Sequence, residues 1–490
     1  MKLHKWIAST ISIVFVAFLL TSHAVSSSRN VFFVTLKNQF DLNRTLSKLG
    51  QVKIKPLLNG AILEVEVIEG NVDEMIEALK NHPSITNVVP NFELPIKHQE
   101  GENIELRYDQ VFPETDYMWW KKNDGGYHVQ FYDFNKITKE KKLTFDIPSK
   151  MGADINLENA HRIETGNPEV VVAVIDTGID LTHPALANSV YTNVLEIPGN
   201  NTDDDGNGYV DDIHGWNFGT DSGDVSDTRG HGTVLSGIIA GNGDGFEGVC
   251  PGCKILPIVI ENMFDGFVES ADYMAKQNVK VVNMSLAWDI DKMKGDEESN
   301  RAFFRFIEYI IEILHDQGMV IVAAAGNSGD KGNPISYPAF FDETIAVGGS
   351  DPWDIYTAFS NYGPWVDIVA PALNIWTTQP VGIINPRNGK SFDSSTKKPG
   401  YGYFSGTSVA APMVAGAAAL LLSHYPRMTA HEVKQTLLHP NNTQHIEAFF
   451  PRPATKRLDI FKALKNPIFD VPDMPDEEED EIDPANLVWH

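Results

Sequence analysis

The stretch Val170-Val171-Val172-Ala173-Val174-Ile175-Asp176-Thr177-Gly178 decides the fold. Six apolar, mostly β-branched residues without polar alternation predict a strand buried on both faces, as in a parallel sheet covered by helices. Lys280-Val281-Val282-Asn283-Met284-Ser285 and Val320-Ile321-Val322-Ala323-Ala324 repeat the pattern, each followed by a short polar or glycine-rich turn. Ala302 to His315 reads as a helix between them, and Thr429 with Glu432 makes a capping box that opens another. This alternation predicts a doubly wound α/β domain with a mostly parallel sheet over 151–465. Asp176 then stands at the C-terminal end of a strand, where open α/β sheets place their sites.

A second stretch carries a hydroxyl. From Val409 to Leu422 nearly every residue is small and apolar, which predicts a helix buried on all sides, with Pro412 expected in its first turn. Ser408 lies at the start of that helix. It is a preferred capping type there, and equally a nucleophile placed where unpaired N–H groups favour negative charge. Arg229-Gly230-His231-Gly232-Thr233 heads a helical run to Ala240, with glycines that let the backbone come close to the imidazole. Ala324-Ala325-Gly326-Asn327-Ser328-Gly329 ends a strand with an amide, either a plain turn or a donor aimed at an oxyanion. A serine, a histidine and a strand-end aspartate are the types that acyl transfer requires: nucleophile, base, and a carboxylate to orient the base.

The chain has 490 residues and 42% hydrophobic content, enough for several domains and a large core. Its net charge of -27 argues against nucleic-acid and anionic-membrane partners. Nine of the acidic residues fall after Lys465, where no Lys or Arg occurs, and the run Asp476 to Glu481 reads as a solvated tail over 466–490. At the other end, Lys2 and Lys5 precede an apolar run from Trp6 to Thr21 and then Ser22-His23-Ala24, the layout of a cleavable signal peptide over 1–24. The run is short of the roughly 20 residues a spanning helix needs. A secreted protein with no membrane span after signal cleavage follows. Residues 30–96 alternate as β-α-β-β-α-β, a small ferredoxin-like α+β unit. Residues 97–150 read as a structured linker or insertion rich in aromatics, among them Trp119, Trp120 and Tyr127.

Asp203, Asp205, Asn207 and Asp212 offer oxygens along a loop with Gly206 at the turn, like the first half of an EF-hand, which gives a calcium site or a solvated acidic turn. His214 stands where the bidentate Glu of a full EF-hand would be. Cys250 and Cys253, the two cysteines, read in an exported chain as a small disulfide loop, with a redox or metal pair as the other choice.

Together, Asp176-Thr177-Gly178, Gly230-His231-Gly232-Thr233 and Gly406-Thr407-Ser408-Val409-Ala410-Ala411-Pro412 resemble the signature of the subtilisin-like serine proteases, the subtilases, in that family's order. The resemblance covers about 165–440. It implies that Asp176 orients, His231 is general base and acid, Ser408 attacks, and Asn327 with the Ser408 N–H holds the oxyanion. It implies a strand at Ser285, Leu286 and Ala287 that pairs with extended peptide substrates, faced by Ala324, Ala325 and Gly326. It also makes 30–96 resemble an inhibitory propeptide, an intramolecular partner removed by self-cleavage between about 96 and 150. The sequence departs from the family at Ala287-Trp288, where two glycines are common, so Trp288 is expected to narrow or cover the pocket. Ala185 replaces an acidic residue of a family calcium site. The expected protein is a secreted serine endopeptidase made as a zymogen. The rival is a non-catalytic exported binding protein on the same scaffold, with Trp288 as its hint.

Overall fold

The run Val171–Asp176 forms a strand buried along its whole length, inside a nine-stranded sheet. The computed structural model describes residues 31–37, 42–80, 82–91, 96–98, 118–134, 141–260, 264–288, 297–382, 398–447 and 452–469. The signal-like segment 1–24 and the acidic run 476–481 lie outside them. In chain order the elements are β1 (Val31–Leu36), α1 (Leu42–Leu46), β2 (Gly50–Leu57), β3 (Ile62–Gly70), α2 (Val72–Lys80), β4 (Ile85–Pro90), β5 (Ile96–His98), β6 (His128–Phe134), β7 (Lys141–Pro148), α3 (Leu157–Ala160), β8 (Val171–Asp176), β9 (Trp216–Asn217), α4 (His231–Ala240), β10 (Asn242–Gly243), β11 (Phe246–Glu247), β12 (Lys254–Val259), α5 (Phe264–Lys276), β13 (Val281–Met284), β14 (Leu286–Trp288), α6 (Glu297–Asp316), β15 (Val320–Ala324), β16 (Thr344–Ser350), β17 (Ile368–Pro371), β18 (Ile375–Thr378), β19 (Tyr401–Phe404), α7 (Thr407–His424), α8 (Ala430–Leu438), β20 (Thr443–Ile446), β21 (Thr455–Leu458) and α9 (Ile460–Lys465).

The main sheet has the order β20-β21-β17-β16-β15-β13-β8-β12-β9, parallel throughout except where β20 meets β21. Helices cover both faces. Residues of α4, α7 and α8 pack on one side, and residues of α5 and α6 on the other. That is the doubly wound arrangement the apolar runs predict. α7 is the one helix among the described residues long and apolar enough to cross a membrane, and it lies buried in this core.

β1 to β4 form a separate antiparallel sheet in the order β2-β3-β1-β4, the ferredoxin-like order. The alternation along β1 explains why Val-Phe-Phe-Val can be apolar throughout. Phe32 and Val34 face α1 and α2, while Val31 and Phe33 face the large domain. Phe33 meets Phe264 of α5 at 5.4 Å and Phe306 of α6 at 6.4 Å. The small sheet is thus docked on the α5/α6 face.

Trp119 and Trp120 are fully buried in the main core. Their ring N–H groups donate to the Leu373 and Trp376 carbonyls at 3.0 and 3.2 Å. Cys250 and Cys253 are joined in a disulfide, with sulfurs 2.01 Å apart. One local expectation is corrected. Pro412 does not lie in the first turn of its helix, because α7 begins at Thr407 and the proline falls one turn further in.

Candidate active site

Asp176 arrives at the end of β8 with no solvent exposure. His231 opens α4, and its Nδ1 lies 2.9 Å from both Asp176 carboxylate oxygens. A glycine is required just before it: Gly230 has φ of 91°, in the left-handed region that favours glycine. Gly232 is required for another reason, since a Cβ there would come within 2.1 Å of the Gly178 carbonyl. Burial opposes a charged imidazole, but the Asp176 carboxylate and its hydrogen bond outweigh it, with Asp227 adding. The His231 pKa therefore lies above its ordinary value. With Nδ1 held by Asp176, Nε2 is the ring nitrogen left to exchange a proton with a hydroxyl.

Asp227 builds the frame of this pair, and the sequence reading missed it. It is 1% exposed. Its oxygens accept from the N–H groups of Arg229, Gly230 and Thr233 and from the hydroxyls of Thr233 and Thr177. Thr177 in turn accepts from the Gly232 N–H at 2.9 Å. One carboxylate thereby ties the residue after Asp176 to the turn that carries His231.

Ser408 is the second residue of α7, where its N–H has no helical acceptor. α7 packs directly on α4. Asn327 follows β15, and its amide oxygen accepts from the Thr407 N–H at 2.8 Å and the Thr407 hydroxyl at 3.0 Å. The oxygen is committed, so the amide NH2 is the end that can donate. The Thr407 hydroxyl also accepts from the Gly326 N–H at 3.1 Å. Thr407, another residue the sequence reading passed over, links the serine turn to the Asn327 turn.

Ser285, Leu286 and Ala287 lie along one edge of the site, with Ala324, Ala325 and Gly326 at the end of the neighbouring β15. β14 is paired antiparallel with β5, with Leu286 opposite His98, Ala287 opposite Lys97 and Trp288 opposite Ile96. The Trp288 ring is turned away from the edge into the α5/α6 core. It lies 5.4 Å from Phe267 and 6.5 Å from Phe303 and is 3% exposed. The expectation that it narrows or covers the pocket is thereby corrected. Strand parity decides the matter, since the residue following Ala287 points to the other face.

Residues 167–454, more than half of the chain, match the family model described as the subtilase family. The chain belongs to the subtilase family. It is a serine-type endopeptidase of that family. This subtilase is 30% identical over 362 residues to the thermophilic serine proteinase of Bacillus sp. (strain AK1), covering 72% of the chain and 67% of the relative. It is 31% identical over 277 residues to subtilisin DY of Bacillus licheniformis, covering 55% and 82%. It is also 34% identical over 266 residues to the major intracellular serine protease of Bacillus subtilis (strain 168), covering 52% and 69%. Among solved structures it resembles fervidolysin from Fervidobacterium pennivorans with a TM-score of 0.60 at 21% identity, over 90% of this chain and 62% of that one. That likeness is one of fold.

The acidic loop of the subtilase converges differently from its sequence spacing. Oxygens of Asp203 and Asp205 meet those of Glu196, all within 4.8 Å of one another. Glu196 lies outside the Asp203 to Asp212 motif, and only the folded loop brings it in. Asn207 directs its NH2 to Asp205 and Asp212, both at 3.0 Å. Asp212 stands one layer behind, accepting also from Asn193, Tyr273 and Gln277. Ala185, which replaces the acidic residue of the family site, is fully buried.

Proposed function

We propose that Asp176, His231, Ser408 and Asn327 carry out the family's reaction in this chain. The observation that supports this best is the paired contact of His231 with Asp176, framed by Asp227 and set beside the helix that carries Ser408 in its first turn. The Ser408 hydroxyl passes its proton to His231 Nε2 as Oγ bonds to the scissile carbonyl carbon. Asp176 stabilises the imidazolium. The Asn327 amide and the Ser408 N–H receive the oxyanion. His231 then protonates the leaving amine as the C–N bond breaks, and water releases the acyl group by the reverse proton path. Because the His231 pKa is raised, the base becomes neutral, and the enzyme active, at a higher pH than an unpaired histidine would require.

The docked N-terminal unit is proposed to be the inhibitory propeptide of a zymogen exported by the signal-like segment. Its support is the pairing of β5 with β14, the edge that an extended substrate would use. Trp119 and Trp120 belong to the main core, so self-cleavage is proposed to fall after His98 and before Met118. One experiment tests both readings. A fluorophosphonate should label the purified chain at Ser408, and the mature N-terminus should begin within 99–118. Ser408→Ala should remain unlabelled and full-length. An unlabelled parent that stays full-length would sink them.

Glu196, Asp203 and Asp205 fit a calcium ion, being hard oxygen donors gathered at one point. We propose that they hold one, with Asn207 and Asp212 bracing the loop; calcium would supply structural charge balance. A chelator is expected to lower the melting temperature and speed self-digestion, and no change in either would remove the site.

A further inference from the structure

Helix α7 has a gap one turn after its start. In an α-helix the carbonyl of residue i accepts from the N–H of residue i+4. For Ser408 that residue is Pro412, which has no N–H. Ser408 is 1% exposed, so water does not supply the missing bond. The donor comes from another element: the Ser285 hydroxyl donates to the Ser408 carbonyl at 2.9 Å. Ser285 is itself fully buried, between β13 and β14. The Asn283 amide NH2 donates to the Ser285 oxygen at 3.1 Å. A hydroxyl has one proton. With its oxygen accepting from Asn283, that proton is directed to Ser408. The Asn283 amide oxygen is buried without a hydrogen-bond partner, so its bond to Ser285 is the one this side chain makes.

We propose that Ser285 is a positioning residue for the nucleophile: its side chain replaces the helical hydrogen bond that Pro412 deletes and fixes the Ser408 peptide, with Asn283 aiming the hydroxyl. The inference rests on Ser408 being the nucleophile. The peptide plane of Ser408 sets the direction of its Cα–Cβ bond, and hence where Oγ stands relative to His231. Without the donor, a buried carbonyl tilts toward whatever partner it can find. The same residue begins the edge that pairs with β5. Its backbone belongs to the binding strand while its hydroxyl reaches the nucleophile.

The test is a set of full-length enzymes, matured by their own activity or by added protease, assayed with one peptide substrate and one fluorophosphonate. Ser285→Ala is expected to lower kcat about 10- to 100-fold, the scale of a misplaced reacting group. KM should stay within about twofold, because the strand backbone is unchanged, and the rate of fluorophosphonate labelling should fall with kcat. Ser285→Thr keeps the hydroxyl and should recover most of the loss. The decisive variant is Ser285→Ala with Pro412→Ala. Residue 412 then has an N–H of its own, and kcat should rise at least about fivefold over Ser285→Ala alone, whatever happens to the melting temperature. The proposal is overturned if Ser285→Ala leaves kcat unchanged, if the loss falls on KM, or if adding Pro412→Ala gives no recovery. Should Ser285→Ala not fold, Pro412→Ala and the double variant still decide it: a double variant no slower than Pro412→Ala supports the proposal, and one slower by 10-fold or more overturns it. Absence of label in the parent enzyme would instead count against Ser408 as nucleophile.

Discussion

The surroundings of α7 and the face where the small N-terminal sheet meets α5 and α6 are both buried, yet they treat their polar groups in opposite ways. Around α7 the polar contacts are neutral and tightly made: Ser285 to the Ser408 carbonyl, Thr407 to Asn327, and the Thr377 and Thr378 hydroxyls to carbonyls of α4 at 3.0 and 2.7 Å. At the docking face the polar groups are charges. Lys55 reaches Glu269 at 2.9 Å but Glu64 only at 3.7 Å, and Asp272 accepts from the Leu58 N–H at 2.7 Å while pairing with Lys276. Desolvated charge regains hydration when surfaces part, so it subtracts from the apolar contact beside it. The first region is built to persist. The second holds with less than its apolar area would provide.

Substitution of large aromatics separates the two most strongly. Trp120→Ala opens a void in the main core and removes the bond to Trp376, and it should destabilise the mature enzyme by about 3–5 kcal/mol. Phe33→Ala removes an equally buried ring, but from the docking face. It should leave the melting temperature of the mature enzyme, freed of its N-terminal unit, unchanged, and should speed the appearance of activity in the full-length chain. Calorimetry of the mature forms and an activity time course check this. Equal losses of mature stability from both would erase the contrast.

Much of this division is legible in the sequence, and where it is not the reasons are physical. Val171–Asp176 announces the sheet because a fully buried strand has no polar alternation to hide. His231 and Asn327 stand out because glycines flank them within one or two residues. Trp119 and Trp120 show no period to read, since they sit in a turn and donate to the Leu373 and Trp376 carbonyls rather than line one face of a helix or strand. Glu196 meets Asp203 only through the folding of a loop. The orientation of Trp288 depended on strand parity, and the consequence of Pro412 depended on which residue starts the helix. A shift of one or two positions in either boundary reverses the conclusion.

Acidity is the second way to part the regions. Glu64 is nearly buried at the docking face, and burial together with the facing Glu269 carboxylate pushes its pKa up to about 7, with Lys55 pulling the other way. A pKa raised on docking means that the docked form holds its proton more tightly. Docking should therefore be strongest below the ordinary value of 4.5 and weaken as pH rises to about 7. The slope is at most about tenfold in affinity per pH unit, with little further change above. If the full-length Ser408→Ala chain is nicked within 99–117 by added protease, the N-terminal unit should co-elute with the large domain at pH 5.5 and separate progressively toward pH 7.5. Glu64→Gln should flatten that profile. A profile that stays steep in Glu64→Gln would assign the proton elsewhere.

The smallest effect belongs to Lys55, and its sign is informative. Its side chain is 40% exposed, so its pair with Glu269 is screened by water and contributes under about 1 kcal/mol. Lys55→Met should weaken docking of the nicked chain by less than about fivefold at pH 7. It also removes the positive charge that pulls the Glu64 pKa down, so the midpoint of the pH profile should move upward. Weaker docking combined with a higher midpoint is the signature of a cation that tempers a carboxyl pair. A loss of a hundredfold or more would show instead that the docking face depends on its charges as the α7 region depends on its neutral bonds, and the contrast between the two would fail.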